Sequence, residues 1–306
     1  LLDDAYLLEA AYKTNNLCPL GSAAGYGVPL PIDRRLTSDL LAFDRPHHNV
    51  FYASCARGKD EAVLLAACSQ VMLSLSRLAE DLILFSMPEF RYFTLPRDLC
   101  TGSSIMPQKY NPDVLELIRA KAALLIGHAT SANVILKALP GGYNRDLQDT
   151  KELYMEGLRV TRASLRIMRL MAENLTVNPD ACRAAFAEPG VFATDRALEL
   201  VAGGMPFRDA YHQVRDHLED LRGMDPDAVI AQKTHLGGTN GLDFAPLRGR
   251  ADALFDPTPF STLSGLSRFF PVSASLFSSR FPGLRPSPPP AGRRTPGLRA
   301  VPTASG

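Results

Sequence analysis

Lys59–Ser86 reads KDEAVLLAACSQVMLSLSRLAEDLILFS, 28 residues with no Gly or Pro. Its apolar residues surround nearly the whole circumference of a helix rather than one stripe, so the segment predicts a helix buried among other helices. At about 1.5 Å per residue the rod would reach about 42 Å, longer than a small globular domain is wide. A helix of that length is the spine of a long bundle.

The flanking segments supply rods to pack against it. Asn111-Pro112-Asp113 combines an N-cap residue, a Pro suited to the first helical position and an acid at the positive dipole end. The helical pattern then runs toward Leu139, where Pro140-Gly141-Gly142 breaks it. A third long helix is expected from near Tyr143 to about Leu175. Asn178-Pro179-Asp180 then opens shorter helices over 179–188, 194–202, 206–221 and 226–232. No stretch alternates as a strand of useful length. The expected class is all-α: a bundle domain over 1–178 with three long antiparallel helices, and a small helical domain over 179–245. A Pro/Ser/Arg-rich tail over 246–306 is expected to be disordered, since 10 of the 24 Pro lie between Pro257 and Pro302.

Composition narrows the function classes. A content of 46% hydrophobic residues over 306 is enough for a sizeable core. Lys+Arg 33 against Asp+Glu 32 gives a net charge of +1, and residues 257–306 hold six Arg and no acid, so the body before them is mildly acidic. Neither nucleic acid nor an anionic membrane is indicated as a partner. Unbroken apolar runs fall well short of the roughly 18 residues of a membrane span, and no signal-peptide pattern opens the chain, so a cytoplasmic location is expected. Cys18, Cys55, Cys68, Cys100 and Cys182 are scattered and read as buried or incidental thiols. His47-His48 read as exposed loop residues, and His212 and His217, five apart, do not share a helix face. No metal or other cofactor is inferred. The chain begins at Leu1 rather than Met, which makes a fragment one reading.

Two polar segments can carry chemistry. Thr101–Pro112, TGSSIMPQKYNP, ends at a predicted helix N-terminus, where free N–H groups attract carboxylate or phosphate. Lys109 and Asn111 add a cation and an amide, and Ser103 and Ser104 offer hydroxyls on a Gly-flanked turn. The alternative is a capped interhelical connection of small polar residues. In Tyr143–Glu152, YNRDLQDTKE, Asn144, Gln148 and Lys151 share a face as i, i+4 and i+7 if the segment is helical, with Tyr143 at its start. A solvated helix face is the alternative there. The glycines of GSAAGYG follow no strand, which argues against a dinucleotide fingerprint.

GSSIMPQKYNPDVLE, Gly102–Glu116, closely resembles the signature of the fumarase/aspartase superfamily, and MPQK followed by LPGGYNRDLQDTKE resembles the argininosuccinate lyases within it. The resemblance extends from PLGSAAGYGVPLPIDR at Pro19 to HLGGT at Thr239, about four-fifths of the chain. It implies reversible β-elimination of argininosuccinate to arginine and fumarate, in arginine biosynthesis or the urea cycle. It also implies a homotetramer whose active sites draw on three subunits.

By the same resemblance Ser103 is the base, Lys109 and Asn111 hold a substrate carboxylate, and Glu116 orients a catalytic His. Tyr143, Gln148 and Lys151 contact the substrate, and Ser104 serves loop geometry. The family's N-terminal domain and its catalytic His lie upstream of any residue present here, so the chain alone is expected to be inactive. A non-catalytic, crystallin-like helical protein and a different fumarate-releasing lyase are the alternatives.

Overall fold

In the computed structural model, which describes residues 1–254, the chain opens with α1 (Leu2–Asn15), α2 (Arg34–Leu40) and α3 (Val50–Cys55). Three rods follow: α4 (Lys59–Ser86), α5 (Asp113–Leu136) and α6 (Thr150–Asn174). Shorter helices complete it: α7 (Pro179–Ala184), α8 (Ala193–Ala202), α9 (Phe207–Asp216), α10 (Pro226–Gln232) and α11 (Ala245–Leu254). Strand structure is limited to two-residue pairs. β1 (Leu17–Cys18) runs parallel to β2 (Arg45–Pro46). β3 (Phe93–Thr94) is antiparallel to β6 (Thr176–Val177), and β4 (Thr101–Gly102) is antiparallel to β5 (Tyr110–Asn111).

The spine occupies the residues its sequence predicts. Along α4, Gly58 lies against Leu136 and Leu147, the Ser69 hydroxyl faces the Leu125 carbonyl at 3.5 Å, and Glu80 pairs with Arg119. Rising numbers on α4 thus meet falling numbers on α5, and the two rods are antiparallel. Gly157 of α6 packs on Leu65 and Leu125, and the β3–β6 pair ties the C-terminal ends of α4 and α6 together. α6 therefore runs parallel to α4. One apolar core links the rods through Leu65, Met72, Leu75, Leu115, Leu125 and Met171, all at most 1% exposed. A second cluster, Phe192, Ala197, Val214, Leu221 and Val229, lies beyond residue 178, and all described residues belong to one compact unit.

α4 is the one rod among the described residues with the length and mean hydropathy of a membrane span, which unbroken apolar runs alone do not reveal. About half of that apolar window is buried inside the bundle. The other side leaves Leu73, Leu78 and Leu84 exposed, alongside Leu117, Leu124 and Val134 of α5 and Met155 of α6. The all-round apolar pattern exceeds what three rods of one chain can cover.

Several boundaries differ from expectation. α5 begins one residue after Pro112, which caps it without any side-chain bond. Asn111 is not the N-cap, because its backbone is held extended opposite Thr101 in the β4–β5 pair. α5 stops at Leu136, and α6 starts at Thr150 rather than near Tyr143, preceded by a 3-10 turn at Arg145–Gln148. α11 (Ala245–Leu254) takes in residues 246–254 of the stretch expected to be disordered, and the rest of that stretch, 255–306, lies outside the described residues. His47 is buried while His48 is exposed, against the expectation that both face solvent.

Candidate active site

Ser103 sits at the tip of a hairpin. The register Thr101↔Asn111 and Gly102↔Tyr110 makes Ser103 and Lys109 the first residues beyond the last pair, so the turn of 103–109 brings them to the same mouth. Arg97 stacks over the Tyr110 ring at 4.7 Å, and the Thr101 hydroxyl donates to the Asp113 carboxylate in the first turn of α5. The first contact braces the β5 arm from the 3-10 turn at Arg97–Leu99, and the second ties the β4 arm to the start of the rod. The Ser103 hydroxyl oxygen accepts from the backbone N–H groups of Ile105 and Met106 at 3.2 and 3.1 Å. That arrangement is a common serine turn. It also favours the anionic form of the oxygen, because both donors strengthen as negative charge builds on it.

Asn111 and Glu116 complete this end of the bundle, Asn111 in β5 and Glu116 exposed in the first turn of α5. Lys109 is exposed. Four of the sequence-derived site residues, Ser103, Lys109, Asn111 and Glu116, thus gather where α5 begins.

The other three, Tyr143, Gln148 and Lys151, gather at the opposite end. The face predicted for Asn144, Gln148 and Lys151 does not form, because Asn144 precedes the helix and donates to the carbonyls of Pro140 and Gly142 at 2.7 and 3.3 Å. Gln148 lies in the 3-10 turn and Lys151 in the first turn of α6. The Gln148 amide nevertheless reaches the Tyr143 hydroxyl at 3.5 Å, and the Arg57 guanidinium lies 5.2 Å over the Tyr143 ring. The hydrogen bond from Gln148, then that from Arg57, and the positive charge of Arg57 and Arg145 lower the Tyr143 phenol from its ordinary value. Arg57 was missed by sequence reasoning; its signal is the cation immediately before the Gly58 that starts α4.

Gln148 and Lys151 open onto a groove of about 830 Å³ along α6, which His128, Glu152, Glu156 and Arg159 also line. Glu156 is held below the usual carboxylate range, first by its hydrogen bond from Arg159. The groove is open to solvent.

The two clusters do not meet in one chain. α5 separates them, and its 24 residues span about 36 Å. Each end holds a polar cluster: a hydroxyl with a cation at one, a phenol, amide and amine at the other.

Comparison with known proteins gives the chain a family. Residues 2–127 match the family described as Lyase. Argininosuccinate lyase of Thermotoga neapolitana is 43% identical over 216 residues, covering 71% of this chain and 54% of that protein. The chain belongs to the fumarase/aspartase superfamily. Argininosuccinate lyase of Xylella fastidiosa (strain 9a5c) is 41% identical over 258 residues, covering 84% of this chain and 58% of that enzyme. The chain therefore spans somewhat more than half the length of the curated superfamily members it matches. The superfamily fold is also seen in an EDDS lyase solved with formate, which superposes with a TM-score of 0.68 at 23% identity over 88% of this chain and 62% of that one.

Proposed function

We propose that this chain supplies the Ser103 hairpin and the Tyr143–Lys151 cluster of an argininosuccinate lyase, which cleaves argininosuccinate reversibly to arginine and fumarate. The observation that carries the reading is the Ser103 oxygen held by two N–H donors beside Lys109 at the start of a rod, in a chain about 40% identical to enzymes of that name. The reaction removes a proton from the succinyl carbon next to a carboxylate. Ser103 oxygen takes that proton, and the carboxylate absorbs the electron pair as an aci-carboxylate. The carbon–nitrogen bond then breaks, its electrons leave with the guanidino nitrogen, the double bond of fumarate forms, and the departing guanidine takes up a proton.

The barrier lies in the extra negative charge of the intermediate, so fixed cations and dipoles are the main catalytic contribution. Lys109 and the N-terminus of α5 supply them on the hairpin side. Lys151 and Gln148 supply a charge and an amide for the substrate's other polar groups.

Because the two clusters are about one rod length apart, the complete site in this reading forms between copies. Bundles packed side by side in opposite directions set one copy's hairpin against another copy's Tyr143 and Lys151. The apolar side chains left exposed on α4, α5 and α6 are the surface such packing covers. A homotetramer built on these rods, working in the cytoplasm in arginine biosynthesis, is the assembly and setting we propose.

The test follows fumarate and arginine released by this chain together with the upstream, His-bearing part that the resemblance implies, the chain alone being expected to release neither. Equal amounts of both from argininosuccinate, with none from aspartate or malate, is the expected result. Fumarate from aspartate or malate but not from argininosuccinate would overturn the substrate assignment.

A further inference from the structure

Between α2 and β2 lies a groove of about 710 Å³ that shares no residue with either cluster above. Arg34, Arg35, Arg45, His47 and His48 line it. The Arg34 Nε donates to the Leu20 carbonyl at 2.9 Å, which fixes the guanidinium, while its Nη2 is buried and has no hydrogen-bond partner. His47 is 4% exposed. Its backbone N–H bonds the Cys18 carbonyl at 2.9 Å and its ring meets Tyr52 edge-on, centroids 5.7 Å apart. Among the described residues the ring nitrogens of His47 make no hydrogen bond, and none of Arg34, Arg35 and Arg45 forms an ion pair.

Three carboxylates share the groove without neutralising those guanidiniums. Asp33 is occupied by the N–H groups of Arg35 and Leu36 at 2.9 and 3.0 Å. Asp44 accepts from the Asn16 amide at 2.7 Å. Asp39 pairs with none of the three arginines. A buried, unpaired N–H of a cation carries a desolvation cost that a partner would remove. The site thus presents planar donor forks, suited to bidentate contact with two oxygens, and an imidazole that can add a third donor.

We propose that Arg34, Arg45 and His47 form a binding site for a small oxyanion, a carboxylate or phosphate group. The geometry alone supports this. The titration behaviour of His47 agrees with it: burial first, then the charges of Arg34 and Arg45, depress its pKa, so the ring is neutral at neutral pH. A bound anion adds negative charge beside the ring and raises that pKa. By linkage, the anion binds more tightly as pH falls through the His47 titration. The other titratable groups lining the pocket are Arg35, His48 and the three aspartates, and Tyr52 meets the His47 ring without lining it.

The experiment follows the His47 ring resonances by NMR while the native protein is titrated with sodium phosphate and, separately, with fumarate, against chloride at matched ionic strength. A saturable shift with either anion, and a His47 midpoint raised by about half a pH unit or more, is expected. Phosphate alone or fumarate alone assigns the class, and both together assign a general oxyanion site. Arg45→Gln removes an exposed side chain with no partner in the fold, so it tests binding without unfolding; it weakens affinity about tenfold or more. A response no larger than that to chloride, or Arg45→Gln binding like the parent protein, would overturn the site. Neither readout involves turnover, so failure here leaves the lyase reading untouched.

Discussion

At the residue scale the Ser103 oxygen, held by the N–H groups of Ile105 and Met106, is the proposed base. Ser103→Ala removes the oxygen that two backbone N–H groups hold, and turnover of argininosuccinate should fall by about 10²–10⁴-fold while substrate binding changes little. Steady-state rates with equilibrium binding of substrate to the variant check this, and near-parental turnover would remove Ser103 from the role of base. Asp60, half-buried beside Glu61, is the clearest titrating group outside the sites: burial and then the Glu61 charge push its pKa up to about 6 from 3.8. A carboxyl raised in the folded state stabilises the fold fully below the unfolded value and loses that contribution as pH rises through about 6. Asp60→Asn should therefore leave stability nearly unchanged at about pH 4 and raise it at about pH 8. The gain there should be about 1 kcal/mol once solvent screening of a half-exposed group is allowed for. Thermal melts at the two pH values decide it, and an equal effect at both would contradict the assignment.

At the element scale the fold hinges on close approach of the rods. A Cβ on Gly157 would fall on the side-chain ends of Leu65 and within 2.9 Å of Leu125, both almost fully buried. Gly157→Val should destabilise the bundle by about 1–3 kcal/mol by overpacking, read as a lower denaturant midpoint. Gly58, at φ +77° with Leu136 and Leu147 2.5 and 2.7 Å from a would-be Cβ, starts α4 in a conformation that other residues strain to adopt.

The rods are also where sequence reading succeeds: the Gly- and Pro-free run of Lys59–Ser86 matches α4 at both ends, because local periodicity and core burial agree there. Asn111 misled because its dipeptide chemistry says cap, whereas a non-local partner, Thr101, holds it in a strand. The start of α6 was placed early for a similar reason, since Asn144 bonds back to Pro140 and Gly142 and the chain spends another turn as 3-10 before straightening. α2 and α3 went unread although Asp33 and Asn49 cap them, because seven and six residues carry too little periodicity to register. The burial of His47 was invisible in sequence, as it follows from the pairing of β2 with β1.

At the scale of the whole molecule, sequence adjacency is a poor guide to the site. The motif residues could be named from the chain, but nothing local shows that Ser103 and Lys151 stand at opposite ends of the bundle. That separation, with the exposed Leu73, Leu124, Val134 and Met155, ties catalysis to assembly in the proposed enzyme. The most direct measurement mixes two inactive variants, Ser103→Ala and Lys151→Met, dissociates them together and lets them reassociate. If sites form between copies, some pairings unite an intact hairpin with an intact Lys151, and activity should return to on the order of a quarter of the parental level. Mixed assemblies that form but stay inactive would contradict a site shared between copies.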